Sequence, residues 1–128
     1  MTTRAALLLA RLYSGTPADK LDAAPRDVIT IETRMAQASK SLQDLRVARN
    51  NYAPISTTDL AKQYKNLQLA AFLKAQGVND DTVSLANPAL FAQLDNMVAT
   101  LKPDQWKAYL RWRIGDSMAP YLARSFRE

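Results

Sequence analysis

Between positions 28 and 42 apolar residues recur every three or four positions, and this spacing constrains the fold more than any other feature of the chain. The residues on this pattern are Val28, Ile31, Met35, Ala38 and Leu42. Because an α-helix turns once in about 3.6 residues, they would lie on one side of a helix. The pattern predicts a long amphipathic helix that starts near Pro17 or after Pro25, ends at about Arg46, and buries this stripe in a core.

Glycine, proline and capping residues divide the rest of the chain. A first helix that carries Leu8, Leu9 and Leu12 is predicted to end at "SGTP", residues 14–17. The asparagine pair at 50–51, Pro54 and a Thr-x-Asp cap signal predict a loop that leads into the helix at residues 59–64. The other predicted helices are residues 59–64, residues 69–76 before Gly77, a helix capped by Asn87 with Pro88 as its first residue, and residues 103–126. Residues 82–85 resemble a β-strand but are too short to form a sheet alone.

These segments predict an all-α fold. The chain has 128 residues, 48% hydrophobic and 23% charged, which is the length and balance of one globular domain. We therefore expect residues 1–128 to form a single irregular multi-helix domain. It would have one long helix, two short central helices and a long C-terminal helix rich in aromatic residues. No apolar run reaches the length of a membrane span, so we interpret the first helix as amphipathic and expect no transmembrane segment.

The C-terminal helix holds both tryptophans of the chain. Its residues predicted to fall on or near one face are Trp106, Tyr109, Leu110, Ile114, Ala119 and Leu122. Aromatic residues at helical spacing usually pack in a core, and a ligand platform is the alternative. Since Trp106, Tyr109, Trp112 and Tyr121 lie on more than one side, one face could pack inside the domain while another meets a neighbouring domain.

Histidine and cysteine are both absent from the sequence. Histidine is the commonest general base and zinc ligand, and cysteine supplies thiolates, so the usual metal and nucleophile chemistry is excluded. No HExxH motif, glycine-rich phosphate loop or nucleophile beside a base occurs. Asp80 and Asp81 are adjacent, but we interpret them as a solvated turn rather than an acid–base pair or a calcium site. We therefore predict no catalytic, metal-binding or cofactor-binding residue in this chain.

The charged residues favour no acidic partner in particular. The net charge is +5, from 17 basic and 12 acidic residues spread along the chain, and such dispersed charge usually forms a solvated surface. Arg111, Arg113 and Arg124 would flank the last helix without forming a basic stripe, so we do not expect nucleic acid to bind. An independent helical module that binds an acidic partner, nucleic acid or an anionic membrane, is the alternative function.

Two stretches resemble the helical, non-catalytic region of the neprilysin family of zinc metalloendopeptidases, especially its bacterial oligopeptidases. They are "VITIETRMAQASKSLQDLRVARNNYAPISTTDL" and "VSLANPALFAQLDNMVATLKPDQWKAYLRWRIGDSMAPYLARSF". The matching residues that we take as structural are Glu32, Arg46, Tyr52, Pro54, Pro88, Phe91, Trp106, Tyr109, Trp112 and Pro120. The resemblance covers the chain from about residue 5 to its end.

This resemblance implies a role that the residues alone do not. Family members have a catalytic domain with HExxH and a glutamate as zinc ligands, faced by a helical N-terminal domain that closes over a cavity and limits substrates to peptides. The chain would be part of that cavity-closing domain and would not catalyse hydrolysis alone. Zinc would then belong to the catalytic domain, with no cofactor in this chain. A periplasmic or secreted location is implied as well.

The resemblance also implies a partner, the catalytic domain of such an enzyme. The surface that this domain covers would be apolar, and exposed apolar surfaces tend to associate. We therefore expect that the chain alone can also form a homodimer through it.

The chain is expected to bind no zinc tightly and to cleave no peptide, because it lacks the nitrogen and sulfur ligands that zinc sites use. Equilibrium dialysis followed by metal analysis checks the first expectation. One tightly bound zinc ion per chain would contradict it.

Overall fold

A computed structural model of the chain describes residues 23–122 and residue 124. These residues form six α-helices, two short strands and two 3-10 turns. The helices are α1 (Ala23–Ala38), α2 (Leu42–Arg46), α3 (Thr57–Gln63), α4 (Leu69–Ala75), α5 (Pro88–Thr100) and α6 (Pro103–Met118). The strands are β1 (Pro54–Ser56) and β2 (Thr82–Ser84), and the 3-10 turns are Ala48–Asn51 and Ala119–Tyr121. The all-α class is confirmed, whereas the predicted helix around Leu8 and Leu12 lies outside the described residues.

The described residues fall into two compact units, with the boundary inside α1. The first unit contains residues 23–33, residues 101–122 and residue 124, and the second is Arg34–Thr100. The single domain over residues 1–128 stays a prediction.

The first unit buries one side of α1. Ala24, Val28 and Ile31 are buried there at spacings of four and three residues, and Ile31 has 0% of its surface exposed. Gln105 ties α1 to α6, because its Nε2 donates to Asp27 Oδ1 at 2.9 Å. The same side chain caps α6, since its Oε1 accepts from the Lys102 amide at 3.0 Å. The predicted stripe is therefore confirmed over its first two residues.

The long helix ends at Ala38 rather than at Arg46, so the prediction of its length was wrong. Ser39 Oγ donates to the Met35 carbonyl oxygen at 2.8 Å. Ser41 Oγ accepts from the Asp44 amide at 3.1 Å and so starts the separate helix α2. Serine side chains compete in this way with the continuation of a helix. Leu42 consequently lies on α2 with 76% of its surface exposed, and its predicted place in the core was wrong.

The second unit contains a two-stranded sheet, and the sequence predicted only one of its strands. Strands β1 and β2 pair antiparallel, with Pro54 opposite Ser84 and Ile55 opposite Val83. The run at residues 82–85 is a strand from 82 to 84, as its composition indicated, but its partner lies in the predicted loop. A strand too short to stand alone acquires its partner only when the chain folds, so local propensity does not identify that partner.

A cluster centred on Leu60, Tyr64 and Leu85 forms the core described for the second unit. Partly buried residues packed against it are Ile55, Leu67, Leu69, Leu73, Val83 and Phe91. Two predicted boundaries are confirmed. Gly77 follows α4 with a φ of 80°, and Asn87 Oδ1 accepts from the Leu90 amide at 3.3 Å at the start of α5.

Asp95 orders the loop between α3 and α4. The side chain is buried on α5, and it accepts from the Asn66 amide at 2.8 Å, from Asn66 Nδ2 at 2.9 Å and from the Leu67 amide at 3.0 Å. These three bonds hold the residues just before Gln68, whose φ is 52°. A residue other than glycine rarely adopts this left-handed backbone conformation, so contacts from other parts of the chain are needed to keep Gln68 in it.

Replacing Ile31 with alanine should lower the free energy of unfolding by about 2–5 kcal/mol, because a fully buried side chain leaves a cavity. Replacing Leu42 with alanine should change it by less than about 0.5 kcal/mol, because an exposed side chain loses little burial. Urea unfolding of both variants checks this difference. Similar losses in the two variants would contradict the end of α1 at Ala38.

Candidate functional site

Helix α6 carries apolar side chains on two opposite sides. Its buried side consists of Ala108, Tyr109, Trp112 and Gly115, continued by Ala119 in the next turn. Its other side carries Leu110, Ile114 and Met118 at spacings of four residues, all exposed, with Ile114 at 64%. We call these three residues together with Leu122 the outer strip. A helix that packed only within its own domain would be polar on that side.

The prediction for α6 was therefore wrong in two respects, which are its single apolar face and its length. Successive residues of an α-helix differ by about 100° in direction, so Leu110 and Ile114 cannot share the side of Tyr109 and Trp112. The helix also ends at Met118 rather than near residue 126, and a 3-10 turn that contains Pro120 follows. Proline has no amide hydrogen to continue the helical hydrogen bonds, which explains the end.

An aromatic cluster fills the buried side. The ring centroids of Trp106 and Tyr109 are 6.1 Å apart in an edge-to-face arrangement, and those of Tyr109 and Trp112 are also 6.1 Å apart. The Arg113 guanidinium carbon lies 5.8 Å from the Trp112 ring centroid, within range of a cation–π contact. The three aromatic side chains thus pack inside the first unit, and the outer strip contains no aromatic residue.

A hydrogen bond between Tyr109 and Glu32 links this cluster to α1. Tyr109 Oη donates to Glu32 Oε1 at 2.9 Å. Burial raises the pKa of Tyr109 to about 12, helped by the hydrogen bond and the charge of Glu32 and opposed by Arg113. The phenol therefore stays protonated, and able to donate this bond, at any physiological pH.

The outer strip borders a groove on α6. The groove has a volume of about 410 Å³ and is lined by all four residues of the strip, by Gly115, and by Lys107 and Arg111. Lys107 Nζ lies 3.4 Å from Asp104 Oδ1. An aliphatic floor beside cationic side chains suits a protein segment that is mainly apolar.

Four of the ten sequence-predicted structural residues meet in the first unit, where Glu32, Trp106, Tyr109 and Trp112 form the contacts above. Pro88 and Phe91 both contact Tyr64 in the second unit. The Pro88 carbonyl oxygen accepts from Tyr64 Oη at 3.4 Å, and the Phe91 ring packs edge-to-face at 6.3 Å.

The other four predicted residues are exposed and lie outside these two groups of contacts. They are Arg46 at the end of α2, Tyr52, Pro54 at the start of β1, and Pro120. The structural role that the resemblance assigns to all ten residues stays a prediction.

Sequence reasoning expected a second face of this helix to meet a neighbour but did not place Leu110, Ile114 and Met118 on it, and it missed Asp95. The strip had a signal, because Leu110, Ile114 and Met118 are spaced four residues apart, separately from the aromatic residues. Asp95 had none, since nothing in its neighbourhood shows that a carboxylate there accepts bonds from a loop about 29 residues away in sequence.

Residues 23–122 offer no metal centre. No group of three or more histidine, cysteine, aspartate or glutamate side chains within them could hold a metal ion, so these residues do not fit a zinc site. Nor is any helix in this part of the chain long and apolar enough to cross a membrane.

Residues 2–128 of the sequence match the family model of peptidase family M13. The chain belongs to peptidase family M13. The resemblance to the neprilysin family is thus confirmed, and the N-terminal helical domain is the region that the chain resembles. No curated protein sequence matches this M13 chain.

Two solved structures of the Mycobacterium tuberculosis zinc metalloprotease Zmp1 share the fold of the M13 chain. The cryo-EM structure in an open state has a TM-score of 0.85 at 19% identity, and the crystal structure with an inhibitor has a TM-score of 0.83 at 18% identity. Each comparison covers 98% of this chain and 20% of the Zmp1 chain, so the M13 chain spans about a fifth of that length. The alternative of an independent module for an acidic partner gains no support from these comparisons.

Replacing Tyr109 with phenylalanine should lower the free energy of unfolding by about 1–3 kcal/mol near neutral pH, because Glu32 loses its donor. The folded-state pKa of about 12 exceeds the ordinary value of 10.0. The stabilisation by the protonated phenol is therefore complete below pH 10 and is lost as the pH rises towards 12. Urea unfolding of both proteins across this range should show the difference between them shrinking.

Tyr121→Phe is the matched control, because that tyrosine is 82% exposed. It should leave stability unchanged at every pH. A Tyr109→Phe difference that stayed constant up to pH 12 would contradict the raised pKa.

Proposed function

We propose that this M13 chain is a structural, substrate-enclosing helical segment of a neprilysin-like zinc metallopeptidase that acts on peptides, and that it takes no part in catalysis itself. Family membership over residues 2–128 supports the proposal, as does the likeness to one fifth of the chain of a zinc metalloprotease. The histidine ligands of the zinc ion would come from outside this sequence, which has no histidine.

The outer strip of α6 is the observation that carries this proposal. Exposed aliphatic side chains that line a groove are typical of a surface that other protein covers, because leaving them in water is unfavourable. The buried side of the same helix is already occupied by its own unit. The partner that we propose for the strip is the rest of the metallopeptidase, and a homodimer through the same strip is the second candidate.

The groove favours a partner that is itself protein. Its lining is mainly aliphatic, and the fully buried core of a protein–protein interface is more apolar than the rest of the protein surface. The zinc ion and the peptide substrate belong to that larger enzyme in this proposal. On the resemblance alone, we also propose that the enzyme works in the periplasm or outside the cell.

The reading frame that encodes these residues provides the first test. We expect an HExxH motif in the same frame, and a frame without one would overturn the proposal. The polypeptide from that frame should hydrolyse a fluorogenic peptide.

Substitutions in the strip provide the second test on that polypeptide. Ile114→Glu with Met118→Glu should reduce hydrolysis about tenfold or more, because a carboxylate is costly to bury in an apolar contact. The matched control is Val98→Glu, an exposed aliphatic residue of the second unit, which should leave the rate unchanged. Equal effects of the strip and control variants would contradict the role of the strip.

A further inference from the structure

Residues 41–50 are exposed at every position although they are folded. They contain α2 and most of the 3-10 turn Ala48–Asn51, and we call them the platform. Leu42, Leu45 and Val47 are among the exposed large hydrophobic residues of the chain. A folded segment whose three aliphatic side chains keep between 38% and 76% of their surface exposed is unusual, because burial ordinarily holds a short helix in place.

Hydrogen bonds hold the platform together instead. Ser41 Oγ donates to Asp44 Oδ2 at 2.6 Å and accepts from the Asp44 amide. Asn51 Nδ2 donates to the carbonyl oxygens of Leu45 at 2.7 Å and of Val47 at 3.2 Å. These hydrogen bonds hold the platform while its aliphatic side chains stay largely or partly exposed.

Lys40 fixes the platform to the rest of the second unit. Its Nζ donates to the carbonyl oxygen of Asn50 and, at 2.8 Å, to that of Ala86. One side chain thus joins the end of the platform to the segment after β2. The platform is ordered before any partner arrives, and this lowers the conformational entropy that binding would cost.

The free charge on the platform is positive. Arg46 and Arg49 are exposed, and neither forms an ion pair or a side-chain hydrogen bond within the part of the chain that the structure describes. The platform has one acidic residue, Asp44, and Ser41 already donates to its carboxylate. Leu45 and Arg46 follow Leu42 by three and four positions, so these residues lie on the same side of α2 as Leu42.

We propose that the platform binds an acidic, amphipathic segment of polypeptide. Aliphatic side chains of that segment would cover Leu42, Leu45 and Val47, and its carboxylates would pair with Arg46 and Arg49, whose guanidinium groups match carboxylates in shape. The aliphatic part of the surface favours protein over nucleic acid, since a phosphate backbone offers nothing to cover it. The segment belongs to the rest of the M13 polypeptide. This assignment rests on the proposed function.

A binding assay with the 128-residue chain tests this chemistry. The probe is a fluorescein-labelled helical peptide of leucine and glutamate, and binding is measured by fluorescence anisotropy. Arg46→Glu with Arg49→Glu should weaken binding about tenfold or more, because like charges would then face each other. Raising the salt concentration should weaken binding to the unsubstituted chain, because ions screen exposed charges. Leu42→Ser with Leu45→Ser should weaken binding with little change in its salt dependence.

Two matched pairs control for the chemistry of these substitutions. Lys62→Glu with Lys65→Glu makes the same charge change elsewhere in the second unit, and Phe72→Ser with Val98→Ser removes exposed apolar side chains there. Both pairs should leave peptide binding unchanged. Every variant should keep the thermal midpoint of the unsubstituted chain, measured by circular dichroism, because all eight positions are exposed.

Three results would overturn the proposal. One is no binding of the peptide, and another is equal weakening by platform and control variants. The third is tighter binding to a single-stranded oligonucleotide or to phosphatidylserine vesicles, with the leucine substitutions having no effect. An HExxH motif in the reading frame together with no peptide binding would remove the platform proposal and leave the proposed function in place.

Discussion

A hydrogen bond from Tyr109 to Glu32 joins the buried side of α6 to α1. Although α6 has apolar side chains on two sides, burial of apolar surface favours the aromatic side, because aromatic side chains bury more area than aliphatic ones. The 2.9 Å bond to a carboxylate on α1 and the Gln105–Asp27 bond are directional, and both form only when the aromatic side faces α1. The aromatic cluster then packs inside the first unit, and Leu110, Ile114 and Met118 are left outside as the outer strip.

The second unit separates its apolar and polar contacts in a related way. Leu60, Tyr64 and Leu85 supply its described apolar core, whereas hydrogen bonds from Lys40 and Asn51 and to Asp95 hold segments that bury little. This arrangement leaves the aliphatic side chains of the platform available to another surface. Each unit therefore presents an apolar surface that its own folding leaves exposed, and both proposals for a larger M13 enzyme depend on such a surface.

Several elements of the fold could be read from the sequence, because local chemistry decides them. Asn87 caps α5, Gly77 follows α4 in a left-handed conformation, and Val28 and Ile31 are buried on α1. The family resemblance rested on residue types and spacing in the same way. Leu42 and Leu110 were misplaced because an apolar pattern shows that a residue can be buried, whereas the serines near residue 40 and the rotation of α6 determine whether it is.

The sequence by itself determined the helical class, the helix boundaries at Gly77 and Asn87 and the lack of histidine and cysteine chemistry, since these depend on neighbouring residues or on composition. Only the tertiary structure decided the contacts between residues far apart in the chain. It paired β1 with β2, brought Asp95 to the loop at Asn66, and joined Glu32 to Tyr109, 77 positions away. Such contacts depend on where folding places two segments in space, and no local pattern records that position.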